Sequence, residues 1–300
     1  MEVIARNELR DFMETSHKSQ KQIAKEIGIS TTVISQFLSG IYNGDNEEIA
    51  DKILQYVRIA KSRLRTVDVP AFCPKLHNAE QVLFAASYAH SNNDIALIYG
   101  AAGAGKTVAL KHYARENPGV VYITANASTR TARAILYLIT EALGRQPIGT
   151  EFMLMRNLVE HLKGSNRLII IDEADHLTPH ALQSIRNLND EAGVGLVFSG
   201  NDIIKLQMYG RGSLQFDQLR TRIGPKKKVA NSYPLRELEM LFPNLNQECI
   251  TYLTAVANKE SLRTAIKRYV FAKQFSNMQD KTLTLKCLKE TEAIQYEGSL

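Results

Sequence analysis

Cysteine is scarce in this chain of 300 residues: it has three, Cys73, Cys249 and Cys287, which lie far apart and are odd in number. Such spacing supports neither a disulfide framework nor a zinc site, so we expect a protein of a reduced cytosol. Long apolar runs are missing as well, since no stretch approaches the roughly 20 residues that span a bilayer. The N-terminus carries charges from Glu2 and Arg6 onward and lacks the apolar core of a signal peptide. We therefore predict a protein that is neither exported nor embedded in a membrane.

The composition is that of an ordinary globular protein with one local excess of positive charge. Hydrophobic residues make up 44% of the chain and charged residues 23%, which argues against intrinsic disorder and fibrous repeats. Its 37 basic and 31 acidic side chains give a formal net charge of +6. Residues 205–230 hold seven basic side chains against Asp217 alone, so this basic segment supplies the whole excess. It is either a contact for a polyanion or a solvated surface run.

Residues 1–64 form the first predicted domain, a set of short helices with a glycine turn between two of them. Apolar residues recur at helical spacing on both sides of Gly28, which permits a left-handed turn, and Ser30 suits the N-cap of the second helix. These apolar residues are Ile23, Ala24, Ile27, Val33, Ile34, Phe37 and Leu38.

This arrangement resembles the phage-repressor type of helix-turn-helix, whose second helix enters the major groove of DNA. The exposed side chains that would then face DNA are Thr31, Thr32, Ser35 and Gln36. A helical bundle that binds protein or only packs is the alternative. Residues 1–69 carry equal numbers of basic and acidic side chains, so we expect this domain to bind DNA weakly when alone.

A linker is predicted at residues 65–78, where Pro70 and Pro74 interrupt helical periodicity. Residues 79–233 then alternate short apolar runs with amphipathic segments, which predicts a parallel sheet with helices on both faces. The predicted strands are residues 95–99, 120–124, 168–172 and 195–199, and the predicted helices are residues 107–116, 131–143, 152–162 and 179–190. Residues 234–300 lack this alternation and are expected to form a small helical domain.

The segment between the first predicted strand and its helix reads GAAGAGKT and matches the phosphate-binding P-loop motif in full. Its small residues let backbone amides approach phosphates, and the helix that follows adds the positive end of its dipole. Lys106 would reach the β- and γ-phosphates of ATP, and the Thr107 hydroxyl would bind Mg²⁺. The other nucleotide-binding positions are Gly100, Ala102, Gly103, Ala104 and Gly105. A chance glycine-rich turn is the alternative, which the flanking strand and helix disfavour.

An Asp-Glu pair follows the third predicted strand, at the end of the sheet where the P-loop is also expected. Asp172 ends that strand, where a carboxylate can hold Mg²⁺ through water. Glu173 beside it can orient and activate the water that attacks ATP. The pair separates this chain from kinases and from GTPases, whose guanine-recognition signature is also missing from the sequence.

On these motifs the chain resembles the AAA+ ATPases, α/β proteins in which a P-loop core with a parallel sheet is followed by a helical lid. The resemblance implies that Asn201, after the fourth strand, is the sensor that hydrogen-bonds the attacking water or the γ-phosphate. It implies that Arg222, with Arg220 as second choice, is the arginine finger supplied to a neighbouring subunit. It also implies that Arg263, at the start of a lid helix, is a second sensor that faces the nucleotide.

The order of helix-turn-helix, linker, ATPase core and helical tail resembles the Mu B family of target-DNA-selecting transposition ATPases. The matching stretches are residues 21–24, 41–47, 103–107, 169–177, 195–197 and 200–201. The run Tyr-Asn-Gly-Asp-Asn at residues 42–46 is the most telling, because no ATPase chemistry demands it.

Membership of that family implies subunits that assemble with ATP into a helical filament around double-stranded DNA, with little sequence preference. The filament would mark target DNA and stimulate a transposase in the cytoplasm of a bacterial host cell, and ATP hydrolysis would release it. Lys205 and Arg211 would then contact DNA phosphates, with the lysines at 226–228 as weaker candidates.

Two other functions fit the same motifs. An ATP-switched transcriptional regulator would use the helix-turn-helix to find one operator, and a helicase loader shares the ATPase core and a similar lid. Salt-sensitive, sequence-indifferent DNA binding that requires ATP distinguishes the transposition ATPase from the regulator. Association with a replicative helicase would identify a loader.

Overall fold

The structure is a computed structural model that describes residues 1–64, 69–209, 217–279 and 281–296. The chain divides into two compact units, Met1–Asp68 and Val69–Leu300. Within the described residues, none of the helices combines the length and the apolar composition that crossing a bilayer requires.

The first unit contains four helices in its described part: α1 (Glu2–Ser16), α2 (Gln20–Ile27), α3 (Thr31–Ser39) and α4 (Asn46–Leu64). Ser19 and Gln22 form a capping box at the start of α2, and Gly28 ends that helix in a left-handed conformation with φ 82°. Ser30 Oγ accepts the backbone N–H of Val33 at 3.2 Å and caps the start of α3. The glycine turn and the N-cap that the sequence predicts are therefore present.

One apolar core joins all four helices of this unit. Its largest fully buried side chains are Leu9, Phe12, Ile23, Ile34, Phe37 and Ile53. Burying a side chain of this kind contributes about 1.5–3 kcal/mol. Helices as short as α2 and α3 are marginal alone, so packing against α1 and α4 stabilises them.

A five-stranded parallel sheet of order β2-β3-β4-β1-β5 organises the second unit. Its strands are β1 (Ile95–Gly100), β2 (Val120–Thr124), β3 (Leu168–Asp172), β4 (Gly195–Gly200) and β5 (Ile223–Val229). The four strands that the sequence predicts are confirmed. β3 and β4 are buried along their whole length, as parallel strands covered on both faces must be. The carboxyl ends of β1, β3 and β4 meet at one end of the sheet, where ligands bind in open α/β folds.

β5 was not predicted from the sequence. Among the described strands it pairs only with β1, and the register of that pairing shifts between Ile95 and Leu97, opposite Pro225. Proline is tolerated there because an edge strand or a bulge does not use every backbone N–H in the ladder. Only the two ends of β5, Ile223 and Val229, are buried. The three lysines between them give the segment no apolar pattern from which a strand could be predicted.

Eleven α-helices of the described residues surround the sheet or form the tail. They are α5 (His77–Asn92), α6 (Lys106–Glu116), α7 (Ala132–Ala142), α8 (Glu151–Leu162), α9 (Pro179–Ala192), α10 (Asp202–Tyr209), α11 (Asp217–Arg222), α12 (Leu235–Leu241), α13 (Gln247–Lys259), α14 (Leu262–Met278) and α15 (Leu285–Tyr296). One core packs α7, α8 and α9 on one face of the sheet. The other core packs α5, α6 and the tail helices on the opposite face.

The residues before α5 and the tail both belong to the compact unit that contains the sheet. Residues 69–76 were expected in the linker, yet Leu76 is buried and Phe72 packs against the second core. α5 begins at His77, just before the expected start of the core. The tail is helical, as predicted, and it shares its core with the sheet. The domain boundaries at residues 64, 78 and 233 remain predictions.

Candidate active site

The phosphate loop connects the end of β1 to the start of α6 and depends on glycines in left-handed conformations. Gly100, Gly103 and Gly105 have φ angles of 127°, 73° and 95°. A Cβ at Gly100 would lie 2.0 Å from the backbone oxygen of Val229 on β5, so only glycine fits there. α6 begins at Lys106, directly after the loop, so its free N-terminal amides and the positive end of its dipole face the loop. The segment therefore has the geometry of an anion-binding site.

Lys106 extends its side chain along the same loop. Its Nζ donates to the backbone oxygens of Gly100 at 2.8 Å and Ala101 at 2.9 Å. Burial lowers the pKa of this ammonium, and the nearby carboxylates of Asp172 and Glu173 oppose the shift. Its present partners are neutral carbonyl oxygens, so an arriving phosphate would offer Lys106 a stronger, charge-assisted hydrogen bond.

Asp172 is the buried centre of the site, with 1% of its surface exposed. Thr107 Oγ1 donates to its Oδ2 at 2.7 Å, so the two residues predicted to bind Mg²⁺ lie side by side. Tyr122 on β2 donates to the same oxygen at 2.7 Å, and Ser199 on β4 donates to Oδ1 at 2.7 Å. The backbone N–H of Glu173 also donates to Oδ1, at 3.1 Å. These four donors satisfy the charge of a buried carboxylate.

Tyr122 and Ser199 were not predicted from the sequence. They lie on the two strands that flank β3, so the order of the strands brings them to Asp172. Ser199 is fully buried, and burial raises the pKa of Tyr122. Both hydroxyls therefore stay protonated and hold the carboxylate in one orientation. The available signal was a polar side chain near the end of an otherwise apolar strand.

Thr107 and Asp172 suit a divalent cation. Mg²⁺ prefers oxygen ligands, keeps several waters and is held in nucleotide sites by one or two protein oxygens together with phosphates. A hydroxyl and a carboxylate oxygen 2.7 Å apart, beside an anion-binding loop, provide that set. The pair would hold Mg²⁺ jointly with a bound nucleotide.

Glu173 and Asn201 both line the cavity beside the phosphate loop. Glu173 has a left-handed backbone with φ 54°, which is uncommon for a residue with a side chain. Asp175 fixes Asn201, because the Asn201 Nδ2 donates to Oδ2 at 2.8 Å and its backbone N–H donates to Oδ1 at 3.2 Å. The Asn201 Oδ1 accepts the N–H of Ile203 at 2.7 Å, in the first turn of α10. Asp175 is thus a positioning residue to which the sequence analysis assigned no role.

The cavity has a volume of about 400 Å³. Its walls come from the segment before α5, from the phosphate loop with the start of α6, and from the tail. Lining side chains outside the loop include Phe72, Leu76, Asn78, Tyr233, Leu262 and Ile266. A mostly apolar cavity of this size with a few polar groups fits a small ligand such as a nucleoside. Part of the expected linker therefore belongs to the site.

The start of α14 packs directly on the phosphate loop. The backbone N–H of Arg263 donates to the Gly103 oxygen at 3.3 Å, and a Cβ at Gly103 would lie 2.8 Å from the Cβ of Ser261. Ser261 caps α14 by accepting the N–H of Thr264 at 3.1 Å. Arg263 itself lines the cavity, so the fold brings the expected second sensor to the phosphate loop.

Arg222 ends α11, and it is not one of the residues that line this cavity. Its Nη1 pairs with Asp190 Oδ1 on α9 at 2.8 Å, while Arg186 holds the other oxygen of the same carboxylate at 2.9 Å. The side chain of Arg222 is 58% exposed. The guanidinium of Arg220 lies 5.9 Å from the centre of the Tyr209 ring. Neither finger candidate is among the described residues that line the cavity of their own chain.

The expected DNA contacts of the second unit lie on α10 and β5. Lys205 is exposed, with its Nζ 5.2 Å from the centre of the Tyr99 ring. Arg211 lies outside the described residues. Along β5, Lys226 and Lys228 are exposed, whereas Lys227 is half-buried with its Nζ 5.0 Å from the centre of the Phe84 ring.

The expected DNA contacts of the first unit lie on α3. Thr31, Thr32 and Ser35 are exposed and Gln36 is half-buried, while the opposite face of the helix packs into the core. A helix with this arrangement can offer its polar face to a partner.

The sequence matches a family model described as an AAA domain over residues 89–208, a range that includes β1 to β4. The chain is 33% identical over 230 residues to the Mu-like prophage FluMu DNA transposition protein B of Haemophilus influenzae, which covers 74% of this chain and 79% of that protein. It is 31% identical over 249 residues to the ATP-dependent target DNA activator B of Escherichia phage Mu, covering 78% and 80% of the two chains. The protein of the same description from Escherichia phage D108 is 31% identical over 223 residues, covering 74% and 71%.

Proposed function

The chain belongs to the Mu B family of ATP-dependent target DNA activators, and we propose that it binds ATP with Mg²⁺, assembles on target DNA and presents that DNA to a transposase. Its fold is the AAA P-loop NTPase fold with a parallel five-stranded sheet, and the chain is an ATPase. The observation that carries the proposal is the convergence of Lys106, Thr107, Asp172 and Glu173 at one end of the sheet, in a chain of this family.

The phosphate loop binds the triphosphate through backbone amides at the start of α6 and through Lys106. Lys106 exchanges its two carbonyl partners for phosphate oxygens, which is favourable because the new hydrogen bonds join opposite charges. Thr107 and Asp172 hold Mg²⁺, which neutralises phosphate charge when it is bound. Tyr122 and Ser199 keep the Asp172 carboxylate in the orientation that this binding needs.

Hydrolysis of the terminal phosphate uses Glu173 and Asn201. The Glu173 carboxylate accepts a proton from the attacking water, which makes that water a better nucleophile. The Asn201 amide carries two hydrogens, and one of them is bound by Asp175. The second hydrogen can bind the attacking water or the γ-phosphate, so Asp175 sets the position of this contact.

Arg222 acts on the nucleotide of a neighbouring subunit. It is exposed, it does not line its own cavity, and its partner Asp190 has a second ion pair with Arg186. A guanidinium delivered in this way stabilises the charge that builds on the γ-phosphate. Head-to-tail contacts that do not close give a helical filament, which we place around double-stranded DNA. Arg220 is the second candidate for this role.

The second unit provides the main DNA contact. Lys205 and Arg211 follow Asn201 closely in the chain and are proposed to contact DNA phosphates, together with the lysines of β5. Basic and acidic side chains are equal in number in residues 1–68, so the first unit has no net positive charge to attract DNA. Its α3 therefore adds a weaker contact, through Thr31, Thr32, Ser35 and Gln36. The protein would act in the cytoplasm of a bacterial host cell.

Electron microscopy and DNA-binding measurements with and without ATP test this function. The wild type should form filaments on unrelated DNA sequences only with ATP. Lys106→Ala should abolish ATP binding and filaments, whereas Glu173→Gln should bind ATP and give long-lived DNA complexes with little turnover. Tight binding to one palindromic site without ATP would contradict the proposal in favour of a transcriptional regulator. Stable association with a replicative helicase would favour a helicase loader.

A further inference from the structure

A buried amide lies in the wall of the cavity. Asn78 is in the first turn of α5, has 8% of its surface exposed and lines the cavity. Apolar side chains of Phe72, Leu76, Leu262 and Ile266 line the same cavity. A polar group in such surroundings destabilises the protein unless its donors and acceptors find partners.

The orientation of this amide follows from its partners. The Asn78 Nδ2 donates to the backbone oxygen of Ala230 at 2.7 Å and to the Tyr233 hydroxyl at 3.2 Å. A backbone oxygen can only accept, so the first contact identifies the NH₂ side of the amide. The Tyr233 hydroxyl in turn donates to the Ala104 oxygen of the phosphate loop at 3.3 Å, and burial raises the pKa of Tyr233 to about 12, which keeps this donor protonated. Both hydrogens of Nδ2 are therefore used.

The other side of the amide, Oδ1, is an acceptor. The Asn78 Oδ1 accepts no hydrogen bond from the described residues, whereas Nδ2 uses both of its hydrogens. Asn78 lines the cavity beside the phosphate loop. A residue in the wall of the cavity thus carries an acceptor for which a bound ligand can supply the donor.

We propose that Asn78 Oδ1 selects the base of the nucleotide by accepting a hydrogen bond from the 6-amino group of adenine. This assignment rests on the proposed binding of ATP at the phosphate loop. Guanine presents a carbonyl oxygen at the same position, which would place two acceptors face to face. A buried acceptor left without its donor weakens binding roughly tenfold to hundredfold. Asn78 is therefore a specificity-determining residue that favours ATP over GTP.

Equilibrium binding of ATP, GTP and purine riboside triphosphate, which lacks the 6-amino group, tests the assignment. The wild type should bind ATP roughly tenfold or more tightly than either analogue. Asn78→Leu, which is close in volume, and Asn78→Ala, which cannot clash, should bring the ratio of ATP to purine riboside triphosphate affinity close to one. Tyr233→Phe is the matched control, because it removes a neighbouring hydroxyl and leaves Oδ1 in place. This control should keep the ratio of the wild type.

An unchanged affinity ratio in the Asn78 variants that fold would overturn the assignment. Equal binding of ATP and purine riboside triphosphate by the wild type would overturn it as well, and this measurement needs no variant. A wild type that binds no nucleoside triphosphate, or a Lys106→Ala variant that binds ATP as tightly as the wild type, would instead contradict the proposed function.

Discussion

Replacing Gly103 with alanine tests how closely the phosphate loop packs against the tail. A Cβ at Gly103 would lie 2.8 Å from both the Cβ and the Oγ of Ser261 and 3.2 Å from the Cβ of Arg263. Gly144 is a matched control, since its φ of 72° is close to the 73° of Gly103 and an added Cβ there would meet nothing within 4 Å. Both substitutions place an alanine in the same left-handed backbone conformation, so the free-energy cost of that conformation is the same. Only Gly103→Ala adds the cost of a steric clash.

These distances predict that Gly103→Ala has a lower free energy of unfolding than Gly144→Ala. A left-handed conformation costs an alanine about 1–2 kcal/mol, so Gly144→Ala should lower the free energy of unfolding by about that amount. At Gly103, overpacking adds about 1–3 kcal/mol, because Ser261 caps α14 and cannot move without disturbing that cap. At roughly 2–4 °C for each kcal/mol, the thermal midpoint of Gly103→Ala should lie about 2–12 °C below that of Gly144→Ala.

Calorimetry measures the two midpoints, and titration with ATP measures the effect on the site. Gly103→Ala should also weaken ATP binding roughly tenfold, since displacing Ser261 disturbs the loop amides that bind the phosphates and the start of α14, where Arg263 lines the cavity. Gly144→Ala should leave ATP affinity unchanged, because Gly144 does not line the cavity. Equal midpoints for the two variants, or an unchanged ATP affinity in Gly103→Ala, would refute the reasoning that α14 holds the loop at this contact.

Two further predictions concern the arginine finger and the DNA surface. Arg222→Ala should bind ATP without hydrolysing it. Mixing this variant with Lys106→Ala should restore part of the hydrolysis, because the Lys106→Ala protein supplies the missing arginine. Arg220→Ala should hydrolyse ATP without a second protein, and a mixture that recovers no hydrolysis would contradict the action of Arg222 between subunits. Lys205→Glu should weaken DNA binding, reduce its dependence on salt and leave ATP affinity unchanged. The same reversal at Lys228 should weaken DNA binding less, and an equal loss at both positions would show that net charge, not position, controls the affinity.

The sequence predicted the parts of the site that are local in the chain. The phosphate loop could be identified because Lys106 and Thr107 occur in one continuous motif between a strand and a helix. Asp172 and Glu173 could be identified because a fully apolar run precedes them, and such a run is typical of a central parallel strand. In each case the residues that form the loop or strand and the residues proposed to bind ATP are neighbours in the sequence.

The remaining parts depend on which strands and helices become neighbours. Tyr122 and Ser199 reach Asp172 only through the order of the sheet, and Asp175 reaches Asn201 across the ends of two strands. Short polar signals of this kind occur at many strand ends, so sequence alone does not single them out. β5 was missed for a related reason: an edge strand with lysines along its middle has no apolar pattern to detect.

β5 also connects the lysines at 226–228 to the phosphate loop through backbone hydrogen bonds. Residues 226–229 pair in register with residues 97–100, and the N–H of Ala101 donates to the oxygen of Val229 at 3.1 Å. The half of the strand that ends at the phosphate loop is therefore fully paired with β1, whereas the register shift near Pro225 interrupts the pairing of the other half. The lysines that we propose as DNA contacts and the loop that we propose as the phosphate site therefore share one hydrogen-bonded segment of the sheet.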